Sequence, residues 1–230
     1  MKLLKSVSRP DSGTFNPGNI CNLACVTCGP SASSRWKHEC GLPIPKGNPV
    51  DLDLGILEDA KNLKSIVIGG GEPVLNFSTE TFLKNANPEQ DILVHFNGTV
   101  LPGPDFLTAS SRFENIRYCF SLDGVGDRFE YLRWPARWSQ VVKNILFLVD
   151  TAPDNIQFSV NTTISQLNKL YYTEVVDWVT EYIPQNRSGK KTQVTYNQAG
   201  DILTRQYLDN LDKKRKTDWK LLFPLAIIPN

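Results

Sequence analysis

The chain has 230 residues, of which 40% are hydrophobic and 21% charged, and its formal net charge is +1. This length allows one large domain with a buried core, within the range of a partial or full α/β barrel. Because the positive and negative charges nearly cancel, the composition does not indicate nucleic-acid binding. The cationic run 213–216 is expected to be a solvated helix face. The N-terminal apolar run is too short for a signal peptide and no stretch reaches membrane-spanning length, so the sequence predicts a cytoplasmic protein without a membrane partner.

From Ser12 onward, short apolar or alternating runs bounded by Gly, Pro and Asn alternate with longer helical runs. This pattern is typical of repeated βα units around a parallel sheet, and six units are predicted. The predicted strands are 13–19, 64–68, 92–96, 116–122, 155–163 and 193–196. The predicted helices are 31–40, with Ser31 as its N-cap, and 54–61, 79–85, 102–113, 138–149, 167–182 and 201–215.

Three of the five cysteines lie close together after the first predicted strand. Cys21, Cys25 and Cys28 have the spacing C-x₃-C-x₂-C, so one tight loop could direct three thiolates at a common metal centre. Iron–sulfur clusters are usually held by four thiolates, and three would leave one iron open to another ligand, which indicates catalysis rather than electron storage. A zinc site completed by His38 is an alternative, and a disulfide is a weaker one in a chain with a cytosolic pattern.

The cysteine run resembles the cluster-binding loop of the radical S-adenosylmethionine (radical SAM) superfamily. Its flanking segments, 16–21 and 28–36, are similar to those of twitch-domain radical SAM proteins. The resemblance implies a [4Fe–4S] cluster on Cys21, Cys25 and Cys28, with S-adenosylmethionine (SAM) chelating the fourth iron through its amino and carboxylate groups. In the superfamily, an electron from the cluster cleaves SAM to methionine and a 5′-deoxyadenosyl radical. An external electron donor of the flavodoxin or ferredoxin type is therefore an expected partner.

Three segments that follow predicted strands match further elements of this superfamily. Segment 69–72 resembles the GGE motif, which binds the SAM amino group in the family, and glycines there let a backbone approach a ligand closely. Segment 97–99 resembles the TNG turn, and segment 121–124 resembles the SLDG element. The resemblance implies that Arg133 meets the SAM carboxylate through charge-assisted bonds. The expected SAM-binding residues are Gly70, Gly71, Glu72, Asn97, Ser121, Asp123, Arg133 and Asn161, although structural hydrogen bonding is an equal alternative for Asn97 and Asn161.

The resemblance covers roughly 14–200 and implies an α/β fold, the partial (β/α)₆ barrel of radical SAM type, with a parallel sheet and outer helices. We expect the barrel domain to span 1–217 and the apolar tail 218–230 to pack on the barrel or on a partner. No second cysteine group follows, so an extension with auxiliary clusters is not expected. Where the family has an aromatic residue near the adenine, before the last cluster cysteine, this chain has Thr27. Adenine binding would then use other contacts, such as the strand 6 backbone near Asn197.

Alternate residues on the later predicted strands are polar. Because successive side chains on a strand point to opposite faces, these polar residues share one face, and helices should cover the apolar other face. Unpaired polar groups in a dry interior are costly, so the sequence predicts a lumen that holds a polar ligand and water. Cys119 lies on the polar face and could donate a hydrogen atom to a substrate radical, although a free cysteine is more often a small buried hydrophobe. His95 could be a base or a substrate contact, but the preferred interpretation is a core histidine with satisfied hydrogen bonds.

Together these features predict a radical SAM enzyme that abstracts a hydrogen atom from a substrate. A peptide or protein side chain is the leading interpretation of that substrate, by analogy alone. A nucleotide-like or sugar-like metabolite, or a non-catalytic protein that binds SAM and a cluster, remains an alternative. The oligomeric state and the reaction outcome stay open.

Overall fold

The computed structural model describes residues 11–44, 60–185, 189–199 and 203–229. The predicted helix at 54–61 lies outside these ranges except for its last two residues. In the described part, six parallel strands form one sheet in the order of the sequence. They are β1 (Ser12–Phe15), β2 (Ser65–Ile68), β3 (Asp91–Phe96), β4 (Asn115–Ser121), β5 (Ile156–Ile164) and β6 (Gln193–Gln198). This order is that of a (β/α)₆ half-barrel and not of a doubly wound sheet, whose strand order reverses.

The described helices follow the strands along the chain. They are α1 (Ser34–Glu39), α2 (Phe77–Asn85), α3 (Pro104–Ser110), α4 (Gly126–Leu132), α5 (Trp138–Thr151), α6 (Tyr172–Tyr182), α7 (Arg205–Arg215) and α8 (Trp219–Leu222). The short helices α4 and α8 were not predicted. None of the helices in the described ranges has both the length and the apolar character that crossing a membrane requires.

Two predicted boundaries are wrong for local reasons. The first strand ends at Phe15 and not at 19, because the backbone turns at Gly18, whose φ is +124° and whose N–H donates to Asn16 Oδ1 at 3.0 Å. The N-cap of α1 is Ser33 and not Ser31. The Ser33 hydroxyl accepts a hydrogen bond from the N–H of Trp36 at 3.3 Å, which satisfies one of the free donors of the first helical turn.

The outer face of the sheet is apolar, as the alternation predicts. Ile116, Tyr118 and Phe120 on β4 are at most 1% exposed, and the ring of Phe120 stacks on that of Phe158 at 5.8 Å between centroids. On the lumenal face, the strand register sets polar residues side by side in rows. One row holds His95, Cys119, Ser159 and Gln193, and a row nearer the carboxyl ends holds Ser121, Asn161 and Thr195.

A second hydrophobic cluster lies around the cysteine loop, outside the main core. It joins Ala24 and Val26 of the loop to α7 and to the C-terminal segment that follows it. Phe223 in that segment is completely buried, with its ring edge-on to Tyr131 at 5.8 Å and to Tyr171 at 5.7 Å. The C-terminal segment therefore packs in the cluster that also holds the cysteine loop, Tyr131 and Tyr171.

Candidate functional site

A cavity of about 420 Å³ opens at the carboxyl ends of the strands. It is lined by the three loop cysteines and by most of the residues predicted to bind SAM. These are Cys21, Cys25, Cys28, Gly70, Gly71, Glu72, Asn97, Ser121 and Arg133. Three predicted residues, Asp123, Asn161 and Cys119, are not part of its lining.

The cysteine loop is fixed by backbone hydrogen bonds made by the residues between the cysteines. The N–H of Ala24 donates to Trp134 O at 2.7 Å, and the N–H of Val26 donates to Leu132 O at 2.8 Å. Ala24 and Val26 are buried against the second hydrophobic cluster. Because these two residues face that cluster, Cys25 between them is left on the side of the cavity.

The backbone of the glycine triplet, residues 69–71, packs against the backbone of the cysteine loop. The N–H of Gly71 donates to Gly18 O at 2.8 Å, and the N–H of Glu72 donates to Ile20 O at 2.7 Å. A Cβ at Gly71 would overlap the carbonyl oxygen of Ile20, and Gly70 has φ +98°, a conformation that side chains disfavour. The sequence argument expected these glycines to admit a ligand, but the close neighbour in the structure is the backbone of the cysteine loop.

Glu72 is a buried carboxyl with one unused oxygen. Its Oε2 accepts a hydrogen bond from the N–H of Asn97 at 2.8 Å, whereas Oε1 has no hydrogen-bond partner in the described structure. Burial raises the pKa of Glu72 to about 8, against the opposing effect of the backbone hydrogen bonds. The group is therefore largely neutral at pH 7 in the metal-free protein, and an adjacent cation would favour its charged form.

Arg133 is a buried guanidinium held by a buried carboxylate. Its Nε lies 2.8 Å from Asp123 Oδ2, but the N–H direction misses that oxygen, so the contact is an ion pair without a directed hydrogen bond. Burial acts to lower the pKa of Arg133, but the Asp123 carboxylate outweighs it and raises the pKa above its ordinary value. Within the described residues, the guanidinium of Arg133 donates no directed hydrogen bond, and it lines the cavity as a cation with donors available to an anion.

Several predicted residues position others in the structure. Asp123 lies behind Arg133, and its Oδ1 accepts the N–H of Thr163 at 2.8 Å. The side chain of Asn97 donates to Asn22 Oδ1 at 2.9 Å and accepts the N–H of Thr99 at 2.9 Å, which ties the 97–99 turn to the cysteine loop.

Two further predicted residues lie on the lumenal face of β4 and β5 but are not part of the cavity lining. Asn161 donates to Asn197 Oδ1 at 2.8 Å, so it links β5 to β6. Cys119 is 3% exposed, and burial raises the pKa of its thiol.

The lining also includes residues outside the predicted set, among them the polar residues His95 and Thr163 on β3 and β5. His95 lines the cavity, and burial lowers its pKa, so its imidazole is neutral at pH 7. Thr163 lines the cavity from the end of β5. The polar parity of their strands was the available signal for both residues.

The loop cysteines are free thiols and His38 lies apart from them. His38 is on the exposed side of α1, with its Nδ1 3.9 Å from Glu39 Oε1. Among the described residues, no group of three His, Cys, Asp or Glu side chains is placed to hold a single metal ion. Burial raises the pKa of all three thiols, that of Cys25 to about 12, so a metal centre that binds them must displace their protons.

No family model matches the chain, and no curated protein matches it either. Solved structures of radical SAM enzymes do match. SuiB from Streptococcus suis bound to S-adenosylmethionine is 17% identical and has a TM-score of 0.58, over 96% of this chain and 46% of SuiB. SuiB bound to its precursor peptide SuiA is 15% identical and has a TM-score of 0.62, over 95% of this chain and 48% of SuiB. The enzyme anSMEcpe with bound AdoMet is 17% identical and has a TM-score of 0.58, over 96% of this chain and 63% of anSMEcpe.

The fold is the radical SAM partial (β/α)₆ barrel. This confirms the predicted fold class, and at these identities the likeness shows the fold alone. The chain spans less than two thirds of the length of each of these structures. The narrower resemblance to twitch-domain proteins stays a prediction.

The approach of the glycine triplet to the cysteine loop can be tested with two matched substitutions. Gly71→Ala should lower the free energy of unfolding by about 1–3 kcal/mol, because the new methyl group must push the loop backbone away. Gly69→Ala, which places a methyl group in open space, should change it by less than about 0.5 kcal/mol. Urea unfolding measures both, and the rate of thiol labelling should rise only in Gly71→Ala. Equal effects in the two variants would contradict the arrangement.

The buried Glu72 predicts a pH dependence of stability in the metal-free protein. Its folded pKa is raised from 4.5 to about 8, so the folded state holds a proton that the unfolded state has lost. The free energy of unfolding should therefore fall as the pH rises from about 5 to 8, and Glu72→Gln should remove this fall. Urea unfolding across that range measures the difference between the two proteins. His95 contributes equally to both curves, and parallel curves would show that Glu72 ionises normally.

Proposed function

We propose that the protein is a radical SAM enzyme. Cys21, Cys25 and Cys28 would hold a [4Fe–4S] cluster, and SAM would occupy the open iron and the rest of the cavity. When bound, the cluster supplies one electron for the cleavage of SAM to methionine and a 5′-deoxyadenosyl radical, which abstracts a hydrogen atom from the substrate. The observation that carries the proposal is the meeting, in one cavity, of three thiols with a buried carboxyl and a buried guanidinium that both have unused bonding capacity.

The residues present fit a cluster with SAM. Three cysteines alone leave a tetrahedral ion without a fourth protein ligand, since His38 lies on the exposed side of α1. An iron–sulfur cube held by three thiolates leaves its fourth iron to another ligand. The free Oε1 of Glu72 and the donors of Arg133 suit the ammonium and the carboxylate of an amino-acid ligand.

The protein would orient SAM through ionic contacts. Glu72, fixed by the N–H of Asn97, would accept the SAM ammonium and become charged on binding. Arg133, held by Asp123, would pair with the SAM carboxylate. Ser121 at the end of β4, together with Gly70 and Gly71, would complete the polar wall. These pairings would offset the cost of burying a carboxyl and a guanidinium without full hydrogen bonding.

The adenine would be held between the cysteine loop and the end of β6. Thr27, Asn197 and Ala199 line the cavity, and none of the three is aromatic. The N–H of Ala199 donates to Ile164 O at 2.8 Å, which holds Ala199, directly after β6, beside the cavity. We therefore place adenine recognition on residues 197–199, whose backbone and amide groups can make hydrogen bonds to the ring.

A peptide is the substrate class that we propose. SuiB and anSMEcpe have been solved with a precursor peptide and with the Cp18Cys peptide, respectively. In this chain the substrate would lie along the polar rows of the lumen, which adjoin the SAM cavity at His95 and Ser121. Cys119 lies in one of these rows and keeps its proton because burial raises the pKa of the thiol, which leaves an S–H hydrogen available for transfer.

The test is anaerobic reconstitution with iron and sulfide, followed by reduction in the presence of SAM. The wild type should hold about four irons per chain and form 5′-deoxyadenosine. Cys25→Ala should lose both the cluster and the product, whereas Cys40→Ala, a matched change at an exposed free cysteine, should keep both. Deoxyadenosine formation that persists in Cys25→Ala, or a loss that is equal in the two variants, would refute the proposal.

A further inference from the structure

The side of the cysteine loop that faces away from the cavity is covered by α1 and α7. The carbonyl of Cys25 accepts a hydrogen bond from Trp36 Nε1 at 2.8 Å, and the carbonyl of Ala24 accepts one from Arg215 Nη2 at 2.6 Å. The hydroxyl of Tyr207 donates to Val26 O at 3.2 Å. Both helices therefore contact the backbone of the segment that carries the thiols.

This covering layer is one side chain thick and rich in aromatic rings. The guanidinium of Arg215 lies 5.4 Å from the ring centroid of Trp134 and 6.0 Å from that of Trp36. Trp134 is only half-buried, and on its outer side it lines a surface depression of about 320 Å³. The cysteine loop is thus close to solvent on this side without being open to it.

Lysines surround this layer at the surface. Lys213, Lys214 and Lys216 at the end of α7 are exposed, and Lys37 on α1 is partly exposed. Lys214 Nζ donates to Glu39 O at 3.1 Å, which ties the end of α7 to α1. We call these four lysines, together with Arg215, the cationic face.

Acidic residues also lie near the cationic face, and Asp127, Glu130 and Asp218 line the depression beside Trp134. Some of the nearby acidic residues are paired: Glu39 with Arg35 at 2.9 Å and Glu130 with Arg137 at 2.9 Å. The sequence analysis expected the run 213–216 to be an ordinary solvated helix face. It is exposed, but the fold sets it directly behind the cysteine loop.

We propose that the cationic face is the docking surface for a small acidic one-electron carrier protein. This inference rests on the proposed function, in which an electron must reach the cysteine loop from outside the protein. SAM and substrate would fill the cavity side, so the opposite side is the one left for a carrier, and its positive charge complements an acidic surface. In the transfer, the reduced carrier loses one electron, the oxidised cluster gains it, and no bond forms or breaks.

The test compares two double variants with the same change in net charge. Lys213→Glu/Lys216→Glu alters the cationic face, and Lys143→Glu/Lys191→Glu alters exposed lysines on α5 and just before β6. The probe is purified oxidised flavodoxin, titrated anaerobically into the cluster-loaded proteins at low salt. The first variant should bind about tenfold more weakly and accept electrons from reduced flavodoxin more slowly, because like charges then meet at the contact. The second variant should bind like the wild type.

Photoreduced deazaflavin, which needs no docking surface, separates the two proposals. Both variants should be reduced by it and cleave SAM like the wild type. If no protein forms a cluster or cleaves SAM under these conditions, the proposed function fails. If SAM cleavage is normal but flavodoxin binds the first variant as tightly as the wild type, only the docking proposal fails. The same holds if binding is weakened equally in both variants. Tighter binding of a short DNA duplex than of flavodoxin to the same lysines would also overturn it.

Discussion

The site depends on one backbone contact between two loops at the carboxyl ends of β1 and β2. The N–H groups of Gly71 and Glu72 donate to the carbonyls of Gly18 and Ile20, and the space between the two backbones admits no side chain at Gly71. The Asn76 side chain adds a hydrogen bond to Ile20 O at 3.2 Å. This contact sets the direction of the cysteine loop and the position of Glu72 at the same time. The thiols and the carboxyl therefore face one cavity.

Two buried ionisable groups give that cavity its chemical character. Glu72 is held largely neutral at pH 7 because it is desolvated, and Arg133 is held charged because Asp123 lies beside it. Each keeps hydrogen-bonding capacity that nothing in the described structure uses. A fold that buries such groups unsatisfied loses stability, and a zwitterionic ligand would restore the balance at both. In the proposed function, SAM would therefore also compensate these two buried ionisable groups.

The sequence predicts the strands, their alternating faces and the segments that line the cavity, because these depend on local periodicity and on residues that follow strand ends. It does not predict what some of those residues contact. Asn97 is tied to Asn22, 75 positions earlier, and Gly71 faces Ile20, so their roles depend on contacts between distant segments. The short helix α4 and the packing of α7 against the cysteine loop are also tertiary features. The run 213–216 looked ordinary because charge alone does not show what lies behind it.

The most direct test of the account is ⁵⁷Fe Mössbauer spectroscopy of the reconstituted protein before and after SAM is added without a reductant. The account predicts a [4Fe–4S] signal in which one iron of the four changes its coordination when SAM binds, because three thiolates leave that iron to the ligand held by Glu72 and Arg133. The account would be contradicted if the Mössbauer signal of no iron changed when SAM was added, or if the protein retained no cluster.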